Sequence, residues 1–267
     1  MGNDFSMVGK TYQYLLDSLN ARGALLAALI DPLDYSSPQA AIKAGIEAGE
    51  AGADYVLIGG STGVGGELLD VVAREIKAGI SVPLVLFPGN VTTLTKHADA
   101  VYFMSMLNSR NPYWISGAQT LGAPVARAMG LETIPTGYIV CEPGGTVGWV
   151  GDANLIPRAK PQLGAAMAMA AQCMGARLVL TDSGSAPANG PLPPEFVKMV
   201  ASSISVPYII GGGVRTKEQA SALVKAGADI LQVGTAIEKD KDVKKTISSL
   251  AHAIHEAGKG RKKSFEI

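Results

Sequence analysis

Tyr208-Ile209-Ile210-Gly211-Gly212-Gly213-Val214-Arg215-Thr216 is an apolar run that breaks on three glycines and leads into a helical pattern. A little further on, Ile230-Leu231-Gln232-Val233-Gly234-Thr235-Ala236 repeats the arrangement with a single glycine. Short, almost wholly apolar runs are how parallel strands covered on both faces read. Glycine between such a strand and a helix lets backbone N–H groups approach an anion, and the helix N-terminus favours it. Either turn alone also reads as a tight connection that needs positive φ. Two of them after the last two strands of a (β/α)8 barrel form the common phosphate site of that fold.

The rest of the chain supplies the other strands. Candidates are Leu25–Asp31, Tyr55–Gly59, Leu84–Phe87, Ala100–Met104, Thr136–Val140 and Leu178–Thr181, ahead of Tyr208–Ile210 and Ile230–Val233. Amphipathic segments lie between them: Pro38–Ala51, Glu67–Ala78, Tyr113–Met129, Pro161–Met174, Glu195–Ser203 and Lys217–Lys225. Eight β-then-α units predict an α/β fold closed into a (β/α)8 TIM barrel, and 267 residues suit one such domain. The single domain runs over 1–267, with 1–20 an N-terminal helix and 258–267 a basic, solvated tail. Two short repeats mark the opposite end of the barrel. Ala51-Gly52-Ala53-Asp54 recurs as Ala226-Gly227-Ala228-Asp229, and Ile80-Ser81-Val82-Pro83 as Ile204-Ser205-Val206-Pro207. Glycine closing a helix and proline opening a strand are structural devices.

Composition excludes several classes. Lys+Arg and Asp+Glu both number 23, so no basic face for nucleic acid is expected. The chain is 47% hydrophobic and 17% charged, which calls for a large core or an apolar binding surface. Cys141 and Cys173 lack metal-ligand spacing and read as reduced thiols of a cytoplasmic protein. Residues 1–20 are too polar for a signal peptide, and no apolar stretch approaches the ~20 residues of a membrane span. Contact with a membrane surface stays open, with Lys259, Arg261, Lys262 and Lys263 as its only basic run.

At the other strand ends, Asp31-Pro32 follows the first strand and Ser61 the second. A carboxylate plus a hydroxyl is a hard-oxygen pair that suits Mg2+, which keeps waters and borrows substrate phosphate oxygens. Asp-Pro is equally a turn signal. His97, His252 and His255 fall in helical patterns, away from strand ends, which disfavours histidine bases and zinc hydrolysis. No lysine ends a strand, which disfavours Schiff-base chemistry. Between Cys141 and Arg158 lies a long βα connection with Glu142, Trp149, Asp152 and Asn154, whose Trp and Val content speaks against disorder.

Taken together, Leu29-Ile30-Asp31-Pro32, Ile58-Gly59-Gly60-Ser61-Thr62-Gly63, Leu107-Asn108-Ser109-Arg110-Asn111-Pro112-Tyr113-Trp114, Gly137-Tyr138-Ile139-Val140, the run Glu142 to Asp152, and Gly211-Gly212-Gly213-Val214-Arg215 resemble the geranylgeranylglyceryl phosphate synthase family. The resemblance covers about Leu25 to Ala236, and the stretch around Trp149 resembles its larger-subunit branch, which forms homo-oligomers. It implies a Mg2+-dependent prenyltransferase of ether lipid synthesis, joining a polyprenyl diphosphate to the 3-hydroxyl of sn-glycerol 1-phosphate. Asp31 and Ser61 match its magnesium positions. Gly212, Gly213, Gly234 and Thr235 match its glycerol phosphate positions. Leu180, Thr181, Asp182, Ser183, Gly184, Ser185 and Ala186 stand where the family commonly reads Tyr-Leu-Glu-Ala-Gly-Ser-Gly. Asp182 therefore takes the place of the glutamate as acceptor-binding and proton-accepting group, and Leu180 stands in place of a tyrosine hydroxyl. The alternatives are another phosphate-binding barrel, of the tryptophan, histidine or thiamine pathways, and a non-catalytic prenyl-lipid binding protein.

Overall fold

The computed structural model describes residues 9–238, 240, 242–261, 263 and 265. Its strands are β1 (Leu25–Ile30), β2 (Tyr55–Ile58), β3 (Leu84–Leu86), β4 (Ala100–Met106), β5 (Glu132–Val140), β6 (Leu178–Asp182), β7 (Tyr208–Gly211) and β8 (Ile230–Val233). All pair in parallel and in sequence order, and β8 closes onto β1 with Leu25 opposite Ile230. The expected closed barrel is the observed one.

Alternation along the strands divides the core in two. Leu25, Ala27, Tyr55, Leu57, Leu178, Leu180, Ile209 and Ile230 fill the barrel interior. Their neighbours Leu26, Ala28, Val56, Ile58, Val179 and Ile210 meet the helices outside. Those helices are α1 (Lys10–Arg22), α2 (Pro38–Glu50), α3 (Gly66–Gly79), α4 (Ala118–Met129), α5 (Gly145–Val150), α6 (Pro161–Cys173), α7 (Pro194–Ala201), α8 (Lys217–Ala226), α9 (Thr235–Glu238) and α10 (Val243–Gly258). No helix joins β3 to β4, so that unit departs from the expected repeat. The connection Phe87-Pro88-Gly89-Asn90 is followed by threonines, and Pro, Gly and β-branched residues are poor helix formers. His97 consequently lies in a turn there, not in a helix.

The expected N-terminal helix is α1, and residues 1–8 of that expectation lie outside the described residues. It closes the bottom of the barrel, burying Tyr12, Leu15, Leu16 and Leu19 against the interior. Its N-cap Gly9 offers no side chain; instead Glu132 accepts the N–H groups of Thr11 (2.7 Å) and Tyr12 (2.8 Å). A carboxylate there satisfies free helix N–H groups and opposes the dipole.

Both repeats are structural. Asp54, buried, accepts Leu26 N–H at 2.7 Å, Arg22 at 2.7 Å and the His255 ring at 3.0 Å. Asp229 accepts Tyr208 N–H at 2.9 Å, Arg261 at 2.9 Å and Lys263 at 2.8 Å. The second repeat places Pro83 and Pro207 so that their carbonyls accept Val56 N–H and Val179 N–H. Arg261 and Lys263 are thus ion-paired and mostly covered, a correction to the expected solvated tail; Lys262 lies outside the described residues.

Candidate active site

The C-terminal ends of the strands open into one cavity. Asp31, Asp34, Ser61, Asp182, Gly184, Ser185, Gly212, Gly213, Arg215, Gln232, Gly234 and Thr235 line its polar part. Val91, Leu94, Val101, Phe103, Met104, Trp114 and Gly122 line an apolar trough that continues from it beside α4. Of the residues expected to bind substrate, Leu180, Thr181, Ser183 and Ala186 do not line the cavity. Leu180 belongs to the interior layer beneath it. Thr181 faces outward and shares a 2.7 Å hydrogen bond with the Tyr208 hydroxyl. Ser183 is fully buried with an unpartnered hydroxyl, and Ala186 is exposed, with φ 48°. Period-two alternation accounts for Thr181, because only every second residue of a barrel strand points inward.

Asp31 continues the inward series Leu25, Ala27, Leu29 just past the end of β1. It also caps the 3-10 turn Pro32–Asp34, accepting Leu33 N–H at 3.2 Å, so the turn reading and the mouth reading both hold. Burial lifts its carboxyl to about 6; the Leu33 N–H works against this and nearby Asp34 adds to it. Gly60 has φ 138° and approaches so closely that a Cβ would lie 3.0 Å from Asp31 Oδ1. Neither Asp31 nor Asp34 has an ion-pair partner among the described residues. Uncompensated carboxylate beside the Ser61 hydroxyl fits a hard divalent cation. Among the described residues no cluster of three or more His, Cys, Asp or Glu forms a metal cage, so such an ion would rely on water and substrate oxygens.

Asp182 ends β6, pointing inward, with only 6% of its surface exposed. Its Oδ2 accepts the Tyr138 hydroxyl at 2.9 Å and its Oδ1 accepts Gly184 N–H at 2.7 Å. Burial raises its pKa, and both hydrogen bonds oppose the rise by favouring the charged form. Tyr138 comes from β5, where it stands opposite Leu180 in the register. The Asp182 carboxyl packs over Gly211, where a Cβ would meet the carboxyl carbon at 2.9 Å. Gly212 and Gly213 follow with φ 85° and 82°, a region that disfavours other residues. A Cβ on Gly212 would lie 2.5 Å from the Gly184 carbonyl, and one on Gly213 2.6 Å from the backbone of Gly190. The loop after β6 is in turn held by Arg158, which donates to the carbonyls of Asn189, Gly190 and Pro191.

The long connection after β5 is ordered. It contains α5, and it is held by Asn108, which donates to the Val140 and Asn154 carbonyls, and by Ser109, which donates to that of Gly151. Trp149 projects from it, 85% exposed.

Residues 24–254 match the model of the PcrB family. The chain belongs to the PcrB family. Geranylgeranylglyceryl phosphate synthase of Pyrococcus horikoshii is 51% identical over 236 residues, 88% of this chain and 92% of that protein. The synthase of Thermococcus kodakarensis is 50% identical over 243 residues, 91% and 95% of the two chains. The crystal structure of (S)-3-O-geranylgeranylglyceryl phosphate synthase from Thermoplasma acidophilum in complex with substrate sn-glycerol-1-phosphate superposes with a TM-score of 0.86 at 35% identity, covering 94% of this chain and 100% of that one. The resemblance seen in the motifs is borne out, and with it the enzyme class: this PcrB chain is a prenyltransferase.

Three residues of the PcrB cavity escaped the reading of the sequence. Tyr138 stood within a strand and within a motif of the resemblance, with no role assigned to it. Arg215 is the one Lys, Arg or His among the described residues that line the cavity, against the carboxylates of Asp31, Asp34, Asp182 and Glu238. Gln232 lies within β8, with its Oε1 buried and unpartnered. A lone cation after a glycine turn, and a lone amide inside an apolar strand, were the available signals.

Proposed function

We propose that this protein transfers a geranylgeranyl or similar polyprenyl group from its diphosphate to the 3-hydroxyl of sn-glycerol 1-phosphate. The observation that carries this reading is one cavity lined side by side by two glycine turns, a buried carboxylate and an apolar trough. The acceptor phosphate sits on the backbone N–H groups of Gly212, Gly213, Gly234 and Thr235, with Arg215 at the rim. The trough takes the prenyl chain.

Asp182 holds the 3-hydroxyl. The bond from the allylic carbon to the diphosphate oxygen breaks, the hydroxyl oxygen bonds to that carbon, and its proton passes to the Asp182 carboxylate. Diphosphate and the prenyl ether leave. Mg2+ held by Asp31 and Ser61 would neutralise the departing diphosphate. Positioning and electrostatics carry most of the rate. Tyr138 and Gly184 favour the charged form of Asp182 and aim it, and the apolar walls exclude water from the allylic centre.

The enzyme works in the cytoplasm as a homo-oligomer and touches the membrane transiently to hand over a lipid product. No described helix is long and apolar enough to cross a membrane. The test is incubation of the purified chain with labelled geranylgeranyl diphosphate, sn-glycerol 1-phosphate and Mg2+. A labelled, acid-stable ether phosphate that disappears with EDTA is expected. Its absence, or full turnover in EDTA, contradicts the reading.

A further inference from the structure

The glycine turn that follows β7 is fixed at both ends. Gly211 belongs to the strand, and Gln219 of α8 accepts the N–H groups of Arg215 at 2.9 Å and Thr216 at 3.2 Å. The middle of the turn is Gly212 and Gly213, and glycine loses more conformational freedom on ordering than any other residue. Contact from a neighbouring segment limits that freedom. Gly213 packs on the Gly190–Pro191 peptide: a Cβ would stand 2.6 Å from Gly190 C and from Pro191 N, and 2.9 Å from Pro187. That peptide lies in residues 183–193, which form neither helix nor strand, so the support itself needs an anchor.

Arg158 is that anchor. Its guanidinium donates to three successive carbonyls, those of Asn189 at 3.3 Å, Gly190 at 3.2 Å and Pro191. A planar fork of donors in fixed directions can span them; a lysine ammonium is a point donor and cannot. The base of Arg158 is held as well. Ile156 donates to the Val140 carbonyl at 3.1 Å and accepts Glu142 N–H at 3.0 Å, and the Glu142 carboxylate accepts Arg158 N–H at 3.3 Å. Among the described residues the guanidinium has no carboxylate at ion-pair distance, so its donors serve the geometry of this segment.

We infer that Arg158 is a positioning residue for the acceptor phosphate. It fixes the Gly190–Pro191 peptide, and that peptide fixes the Gly213 turn on which the phosphate sits. Arg158 is not among the residues that line the cavity, so it acts through the backbone and not by touching the ligand. The inference rests on the glycerol phosphate reading and names a residue that serves it from outside the site.

Arg158→Lys and Arg158→Ala on the full chain test it. Lysine keeps the charge and an alkyl stem, so it isolates the loss of the fork if the alanine variant fails to fold. Both variants should raise the acceptor KM about tenfold or more, the scale on which misplacing a group by about 1 Å acts. The donor KM, and kcat at saturating acceptor, should stay close to wild type. Inorganic phosphate, titrated by calorimetry in EDTA so that no metal holds it, should bind more weakly by the same factor as the acceptor KM rises. A lower Tm with wild-type acceptor KM and phosphate affinity would make Arg158 a structural staple and overturn the inference. Equal loss for donor and acceptor would overturn it too. Wild type that binds phosphate but forms no prenyl ether contradicts the proposed function and not the role of Arg158; wild type that binds no phosphate overturns both.

Discussion

The Tyr138 hydroxyl donates to Asp182 Oδ2 across 2.9 Å, reaching two residues beyond its own register partner, Leu180. This bond favours the ionised carboxylate, so its loss should raise the Asp182 pKa further. Tyr138→Phe should move the acid limb of the kcat/KM profile for the acceptor to higher pH. At neutral pH the rate should fall about tenfold to a hundredfold, since hydrogen bonds to charged groups contribute roughly 1.5–3 kcal/mol. A pH–rate profile superposable on wild type would show that Tyr138 only fills space.

Asp182 also leaves a mark on stability. Its folded pKa is raised above the unfolded value, so the neutral acid is the form the fold prefers. The contribution is complete below the unfolded pKa and is lost as pH rises through the folded one. Asn at this position has no such transition. The Tm difference, wild type minus Asp182→Asn, should be largest in acid and shrink as pH rises, while acceptor kcat/KM falls throughout. Thermal melts over a pH series check the first part; a constant difference would contradict it.

The two glycine turns should respond unequally. Gly212 holds φ 85°, and a Cβ would lie 2.5 Å from the Gly184 carbonyl. At Gly234 the nearest atoms would be 3.3 Å away, a Glu238 oxygen, and 3.4 Å away, in Leu29. Gly212→Ala incurs about 1–2 kcal/mol of left-handed strain plus a backbone clash. It should raise the acceptor KM about tenfold or more, while Gly234→Ala should stay within about threefold. The donor KM should hold for both. Steady-state kinetics on the pair decides, and equal effects would refute the steric account.

The metal prediction concerns Asp31. Asp31→Ala should keep the fold, because among the described residues the one hydrogen bond of its side chain is to Leu33 in an exposed turn. Activity should fall by about 10²–10³, by analogy with the loss of one preorganised electrostatic contact. Excess EDTA should bring wild type to a similar rate. An active Asp31→Ala enzyme would remove Asp31 from the metal site.

Much of this was readable beforehand, for identifiable reasons. Strands buried on both faces leave unbroken apolar runs, so all eight could be placed from sequence. Asp31, Ser61 and the turns at Gly212 and Gly234 stand out because polar and glycine residues interrupt those runs at their ends. Inside an apolar run, parity is invisible. Nothing local said that Thr181 faces Tyr208 outside while Tyr138 faces Asp182 inside. The helix α5 was hidden by its glycines, which are poor helix formers. In the fold, Gly144 and Gly148 let Leu155 pack close against that helix, with would-be Cβ distances of 2.6 and 3.1 Å. The pairing of Arg261 and Lys263 with Asp229 spans more than thirty residues, beyond the reach of any local pattern.

The central claim is that one cavity orients a chiral glycerol phosphate beneath a prenyl diphosphate. The most direct measurement is diphosphate release and product mass with geranylgeranyl diphosphate and Mg2+, run separately on sn-glycerol 1-phosphate and its mirror image, sn-glycerol 3-phosphate. The account predicts one diphosphate per prenyl ether phosphate formed, with sn-glycerol 1-phosphate preferred by at least about tenfold in kcat/KM. Equal rates for the two acceptors, or diphosphate released without ether product, would contradict it.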